Sequence, residues 1–207
     1  EISIIHNGVF RDENNYIAKP LSTTDVKLSI VGYINSNKNQ LLAVRALYEL
    51  LKIKDNVILS IYGVACVPSD KLYEKELLNE ISNLGLENKV FFKGFERKQS
   101  AIYTNTDILL SCSRSEGFGR TMVEAMSYGI PCIGLRESGG LLDIISNGVD
   151  GVLISNDKKE LSYAILKIIE NKDYRDNISM EARKTYLNKF TEEVMCQRYK
   201  EFIKQNI

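Results

Sequence analysis

Short apolar runs closed by glycine alternate along this chain with longer segments whose apolar residues recur every three or four positions. Lys27–Gly32 (KLSIVG) is a run of the first kind, rich in branched residues, and predicts a buried strand. Val57–Gly63, Val90–Lys93 with Gly94 behind it, Asp107–Ser111, Ile130–Leu135 and Gly151–Ile154 read the same way. Between them, Asn39–Lys52 places Leu41, Leu42, Val44, Ala46, Leu47, Leu50 and Leu51 at helical spacing. A second helix from Ser69 to about Leu84 pairs an apolar stripe (Leu72, Leu77, Ile81) with a charged face (Glu76, Glu80). Shorter helices are predicted at Gln99–Tyr103, Arg120–Tyr128 and Leu141–Ser146, and longer ones at about Lys158–Glu170, Tyr174–Leu187 and Glu192–Lys204. The opening stretch carries turn signals instead: Asn7-Gly8, Asn14-Asn15 and Pro20.

Strands alternating with helices predict an α/β fold, a Rossmann-like doubly wound parallel sheet of about six strands with right-handed crossovers. We assign it to residues 25–190, with a linker segment over 1–24 and a separate terminal helix over 191–207. The size and charge narrow the function. The 207 residues carry 27 Lys+Arg against 27 Asp+Glu, so the basic excess expected of a nucleic-acid binder is missing. A content of 44% hydrophobic and 26% charged residues suits a globular domain with its own core. The apolar runs are too short to span a bilayer, and no signal-peptide pattern is present. Cys66, Cys112, Cys132 and Cys196 lack metal-ligand spacing and read as reduced, mostly buried residues of a cytosolic protein. The lone His6, in IIHNGVF, reads as part of a turn or linker rather than a catalytic base.

In the strand order 3-2-1-4-5-6 a crevice opens at the carboxyl ends of strands one and four. The loops at those ends are GYINSNKNQ, from Gly32 through Lys38, and SCSRSEGFGR, with Glu116, Gly117, Phe118 and Gly119 just ahead of a helix. Glycines before a helix let the backbone approach a phosphate, and the helix start offers free N–H groups and a positive dipole end. Lys38 adds a mobile charge from the opposite side. Together they point to an anionic ligand, a nucleotide phosphate foremost. The first loop is not GxGxxG, and the chain has no GxxxxGK[ST], so nicotinamide dehydrogenases and P-loop hydrolases are poor candidates. Glu124 lies among Met122, Val123, Ala125 and Met126, where a carboxylate needs a partner. That partner is either a sugar diol or Arg120, four residues back.

EGFGRTMVEAMSYGIPCIG resembles the E-x7-E signature of retaining GT-B glycosyltransferases, most closely glycosyltransferase family 4 (the glycosyl transferases group 1). HNGVF, IVGYINSNKNQ, VFFKGF, YTNTDILLSCSRSEGFG, SGGLLDIISNGVDGVLI and FTEEVMCQRYKEF resemble further segments of that family in the same order. The resemblance implies the donor-binding half of a two-domain enzyme, and the start at Glu1 is expected of a piece of a longer chain. It implies that Glu124 holds the ribose hydroxyls and Glu116 the donor sugar. The backbone around Gly117, Phe118 and Gly119, with Arg120 and Thr121, would meet the sugar or diphosphate. Gly32 and Tyr33 would border the diphosphate, and Gly94 and Phe95 the nucleobase. Lys38 would offset charge on the departing diphosphate, acting with Glu116 in catalysis. No cofactor and no divalent metal is implied, and the chain has no DxD motif.

The donor would be a UDP-, GDP- or ADP-sugar. The acceptor, a glycan or lipid-linked glycan of a bacterial surface polysaccharide, would be held by an N-terminal domain outside this chain. The full-length protein would be cytoplasmic, with room for peripheral association at the inner face of the membrane. The fragment alone is expected to bind donor weakly and transfer little. Two positions depart from the pattern. Tyr33 stands where the family often has an Arg that shares the diphosphate with Lys38, leaving Arg114 and Arg120 as candidate substitutes, and Asp143 stands where Glu is usual. The first departure favours a second reading, a non-catalytic nucleotide-sugar-binding partner subunit; a GT-B sugar-nucleotide epimerase is a third. On the last helix, Val194, Tyr199, Phe202 and Ile203 are expected to form an exposed apolar stripe that packs on the absent domain.

Overall fold

The computed structural model describes residues 4–10, 20–22 and 24–206; the Asn14-Asn15 turn and most of the linker segment lie outside them. The elements are β1 (Val26–Val31), α1 (Gln40–Leu51), β2 (Val57–Tyr62), α2 (Pro68–Asn83), β3 (Val90–Gly94), α3 (Gln99–Tyr103) and β4 (Ile108–Ser111). They continue with α4 (Arg120–Ser127), β5 (Cys132–Leu135), β6 (Val152–Ile154), α5 (Lys158–Glu170), α6 (Lys172–Lys189) and α7 (Glu192–Asn206). The six strands form one parallel sheet in the order β3-β2-β1-β4-β5-β6. This is the expected doubly wound, Rossmann-like α/β fold, with β1 and β4 adjacent at the point where the winding reverses.

Alternation within the strands feeds two cores. Leu28, Ile30, Leu59, Ile61, Ile108, Leu110, Ile133 and Leu135 pack with α1, α2 and α5 on one face. Tyr62, Leu109 and Cys132 pack with α4, α6 and Phe190 on the other. Runs such as ILLS in β4 are apolar at nearly every position because both of their faces are covered. The N-terminal residues 4–10 dock on the far end of the chain. Val9 N–H donates to Phe190 O at 2.9 Å, and the Tyr186 hydroxyl donates to Val9 O at 2.8 Å. His6 packs its ring on Phe118 and Phe190, both centroids 5.7 Å away, so it is a packing residue.

Several expectations shift. Leu141–Ser146 is not an α-helix: Gly140–Asp143 makes a 3-10 turn instead. Gly139 before it, at φ 77°, and the tight fit of Gly140 over the Gly117 carbonyl bend the backbone too sharply for a regular start. Helix α6 begins at Lys172, earlier than Tyr174, because the Asn171 side chain caps it by accepting from Tyr174 N–H. Cys112 and Cys132 are buried, but Cys66 and Cys196 are exposed, so the cysteines are not mostly buried. Burial pushes the Cys112 thiol up to about 12 and raises Cys132 as well, as befits small core residues. Tyr199, Phe202 and Ile203 on α7 are exposed and Val194 is half-buried. No helix among the described residues is long and apolar enough to cross a membrane.

Candidate functional site

Three adjacent strands end the same way. Gly32, Gly63 and Gly94 follow or close β1, β2 and β3, and all have positive φ (147°, 143° and 68°). Their backbones interlock: Gly32 N–H donates to Tyr62 O at 2.9 Å and Gly63 N–H to Gly94 O at 2.7 Å. A Cβ on Gly63 would lie 1.9 Å from Gly32 O. Side chains are thus kept off the carboxyl edge of this half of the sheet, and a cleft opens there.

The loop after β1 is held by its own asparagines. Asn35 accepts from Lys38 N–H through its side chain (3.0 Å) and from Asn39 N–H through its carbonyl (3.2 Å). Asn39 takes the left-handed conformation (φ 51°), tolerable for Asn, and turns the chain into α1. Gln40 donates from its buried amide to Tyr33 O at 2.9 Å. Asn37 then joins this loop to the one after β4. Its side chain donates to Ser115 O (3.0 Å) and accepts from Ser115 N–H (3.1 Å), while its carbonyl accepts from Arg114 N–H (2.8 Å). A third segment backs the glycine loop. Glu116 N–H donates to Ser138 O at 2.7 Å, and Gly140 N–H donates to Glu116 O at 3.0 Å.

This scaffold brings Lys38 and Glu116 together across 78 residues of sequence: Nζ is bonded to Glu116 Oε1. The buried Ser113 hydroxyl donates to the same oxygen at 2.7 Å. Among the described residues Glu116 Oε2 has no partner. Three residues on, Gly119 at φ 88° leads into α4 with no side-chain cap. The first N–H groups of α4 are those no helix can satisfy internally.

The cleft itself encloses about 740 Å³ and is lined by Gly32, Tyr33, Lys38, Phe95, Arg120, Thr121 and Glu124, together with Tyr62, Glu96, Arg97 and Gln99. Seven of the residues expected at the site from sequence therefore share one wall system. Glu116 joins through its bond to Lys38, whereas Gly94, Gly117, Phe118 and Gly119 are not among the lining residues. Gly117 is exposed. Phe118 directs its ring to His6 and Phe190, so only its backbone is available to a ligand. Of the two cations considered for the missing Arg, Arg120 is in the cleft and Arg114 is not among its lining residues; Arg97 is a third cation that sequence reasoning passed over.

Glu124 points inward. Tyr103 donates to its Oε2 at 2.7 Å, and Arg120 Nη2 lies 3.7 Å from Oε1. Both partners foreseen for this carboxylate are thus open to it, since the arginine contact is long and half-solvated. Burial pushes the Glu124 carboxyl up, while the Tyr103 hydrogen bond and the Arg120 charge pull it back down. A carboxyl raised above its ordinary 4.5 holds its proton more tightly folded than unfolded. Stability therefore falls as pH rises through the raised value and is greatest below the ordinary one. Glu124→Gln is expected to stabilise the chain by about 0.5–1 kcal/mol at pH 7, the scale usual for relieving a functional-site penalty. The gain should vanish below about pH 4.5, where both side chains are neutral. Urea unfolding at the two pH values checks this.

The family model for glycosyl transferases group 1 matches residues 12–185, and the chain belongs to that family. It is 28% identical over 124 residues to the N-acetyl-alpha-D-glucosaminyl L-malate synthase of Bacillus anthracis, covering 59% of this chain and 32% of that protein. Among solved structures, Anabaena HepE in complex with UDP and glucose superposes with a TM-score of 0.81 at 27% identity, over 87% of this chain and 48% of that one. The C-terminal domain of a glycosyl transferase group 1 family protein (LpcC) from Francisella tularensis superposes at 0.74 and 24% identity, over 82% of this chain and 88% of that domain. The fold is thus that of the C-terminal half of a GT-B protein. The chain thus spans less than half the length of the Bacillus anthracis and Anabaena relatives.

Proposed function

We propose that this chain is the donor-binding half of a retaining glycosyltransferase that moves a sugar from a nucleoside-diphosphate sugar to a glycan or lipid-linked acceptor in bacterial surface polysaccharide synthesis. The observation that carries it is the convergence of Lys38, Arg120, the start of α4 and the inward-facing Glu124 on one cleft at the carboxyl ends of β1, β2 and β3. Cations and a helix start suit a diphosphate, and a half-buried carboxylate suits a vicinal diol. The UDP and glucose seen with HepE support this choice of ligand.

In this reading the bond from the sugar's anomeric carbon to the diphosphate breaks, and a bond to an acceptor oxygen forms on the same face. The acceptor proton leaves on the diphosphate. Lys38 stabilises the charge that grows on the leaving oxygen, a contribution made in the transition state. Glu116, with Oε1 held by Lys38 and Ser113, offers Oε2 to a sugar hydroxyl. The exposed Tyr199, Phe202 and Ile203 on α7 suit packing against an acceptor-binding domain.

Calorimetry with UDP-, GDP- and ADP-glucose tests the donor role. One nucleotide class should bind, and Glu124→Gln should weaken it about tenfold or more, the size of a lost charge-assisted hydrogen bond. No binding of any class, or equal binding to both proteins, would contradict the reading.

A further inference from the structure

Tyr103 is not among the residues that line the cleft, yet it makes the shorter of the two side-chain contacts to the Glu124 carboxylate. It is the last residue of α3, the five-residue helix between β3 and β4, and its side chain is only 1% exposed. The ring packs against Tyr128 with centroids 5.3 Å apart. Its hydroxyl has a single proton. The 2.7 Å contact to Glu124 Oε2 takes that proton in preference to the 3.3 Å contact to Thr121 O, since a charged acceptor gives the stronger bond. The two carboxylate oxygens are therefore unlike. Oε2 is tied to the protein interior, while Oε1 lies beside the exposed Arg120 at the cleft.

We propose that Tyr103 is a positioning residue that fixes the Glu124 carboxylate so that Oε1 is presented to the ribose diol of the donor nucleotide. The inference rests on the donor-half reading above. Without the phenol, the carboxylate can rotate and turn both oxygens toward Arg120 and solvent, so the pre-set geometry for a diol is lost. Tyr103 supplies no contact to the nucleotide itself, and its effect must pass entirely through the diol.

The test compares ribonucleotides with analogues that lack the diol. The wild-type chain and Tyr103→Phe are titrated with UDP, GDP and ADP, and the tightest of the three is repeated as its 2′,3′-dideoxy form. Tyr103→Phe is expected to weaken the ribonucleotide about five- to tenfold and leave the dideoxy form within twofold, with the thermal midpoint little changed. Glu124→Asp provides a second arm. It keeps the phenol but is one methylene too short to meet both Tyr103 and the cleft, and it should lose the same ribose preference. Equal weakening of both nucleotides would show that Tyr103 only packs, and no weakening of either would show that Glu124 is placed without it; each overturns the proposal. A ribose preference that survives in Glu124→Asp does so too. If wild type binds none of the three nucleotides, the donor-half reading itself fails and takes this inference with it, so the two failures are distinguishable.

Discussion

Replacing Gly63 with alanine is expected to destabilise the chain by about 3–4 kcal/mol, near the upper end for single substitutions. Its φ of 143° is a conformation side chains avoid, and the new methyl carbon would sit 1.9 Å from the Gly32 carbonyl oxygen. That obstacle is backbone, so no side chain can rotate away. Gly32 and Gly63 are each pinned by sheet hydrogen bonds, to Tyr62 O and Gly94 O, and separating them means parting β1 from β2 at the cleft. Gly85→Ala is the control. Its φ is also positive (66°), but a Cβ there meets nothing within 4 Å, so only the local backbone strain of about 1 kcal/mol remains. Urea unfolding of the two variants separates crowding from strain. Similar losses for both would show that the interlocked glycines are not what shapes the cleft.

Lys38→Met is expected to cost about a hundredfold or more in nucleoside-diphosphate affinity, with a smaller loss of stability. The lysine side chain joins the loop after β1 to the loop after β4 through its bond to Glu116. Both side chains are mostly shielded, at 21% and 13% exposed, so solvent screens the pair only in part. Truncating one member of a hydrogen-bonded charge pair formed across a binding interface costs about 2–5 kcal/mol, and Lys38 with the diphosphate would form a pair of that kind. Here the effect is twofold: the diphosphate loses its cation, and Glu116 becomes an uncompensated negative charge beside it. Ser113 still donates to Glu116 Oε1, which limits the damage to the fold. Titration calorimetry at fixed ionic strength reads the affinity. An unchanged Kd would assign the diphosphate to Arg97 and Arg120 instead.

The sheet was legible in the sequence because buried parallel strands leave a plain mark: short branched runs such as KLSIVG and VILSIYG, each stopped by a glycine. The two cleft loops were legible for the same reason, since glycines and a lysine stand where strands one and four end. Three kinds of residue stayed hidden. Asn37 and Gln40 look like ordinary polar loop residues, and only the folded loops reveal that one joins Ser115 and the other Tyr33. Tyr103 has the composition of a core aromatic; its bond to Glu124 spans 21 residues and two elements, which no local spacing encodes. Phe118 lies inside the glycine motif, but its ring contributes to the His6–Phe190 cluster rather than to the cleft. Helix starts misplaced by a few residues, as at α6, follow from caps that act through single side chains such as Asn171.

An amide NMR titration of the 15N-labelled chain with UDP, GDP and ADP in turn tests whether the cleft holds a nucleotide. At least one nucleotide is expected to shift the signals of Gly32 through Lys38, Phe95 through Gln99, and Gly119 through Glu124 together. Shifts confined to another surface, such as the α5–α6 crevice at Tyr163, Lys167 and Lys172, or no shifts with any of the three, would contradict it.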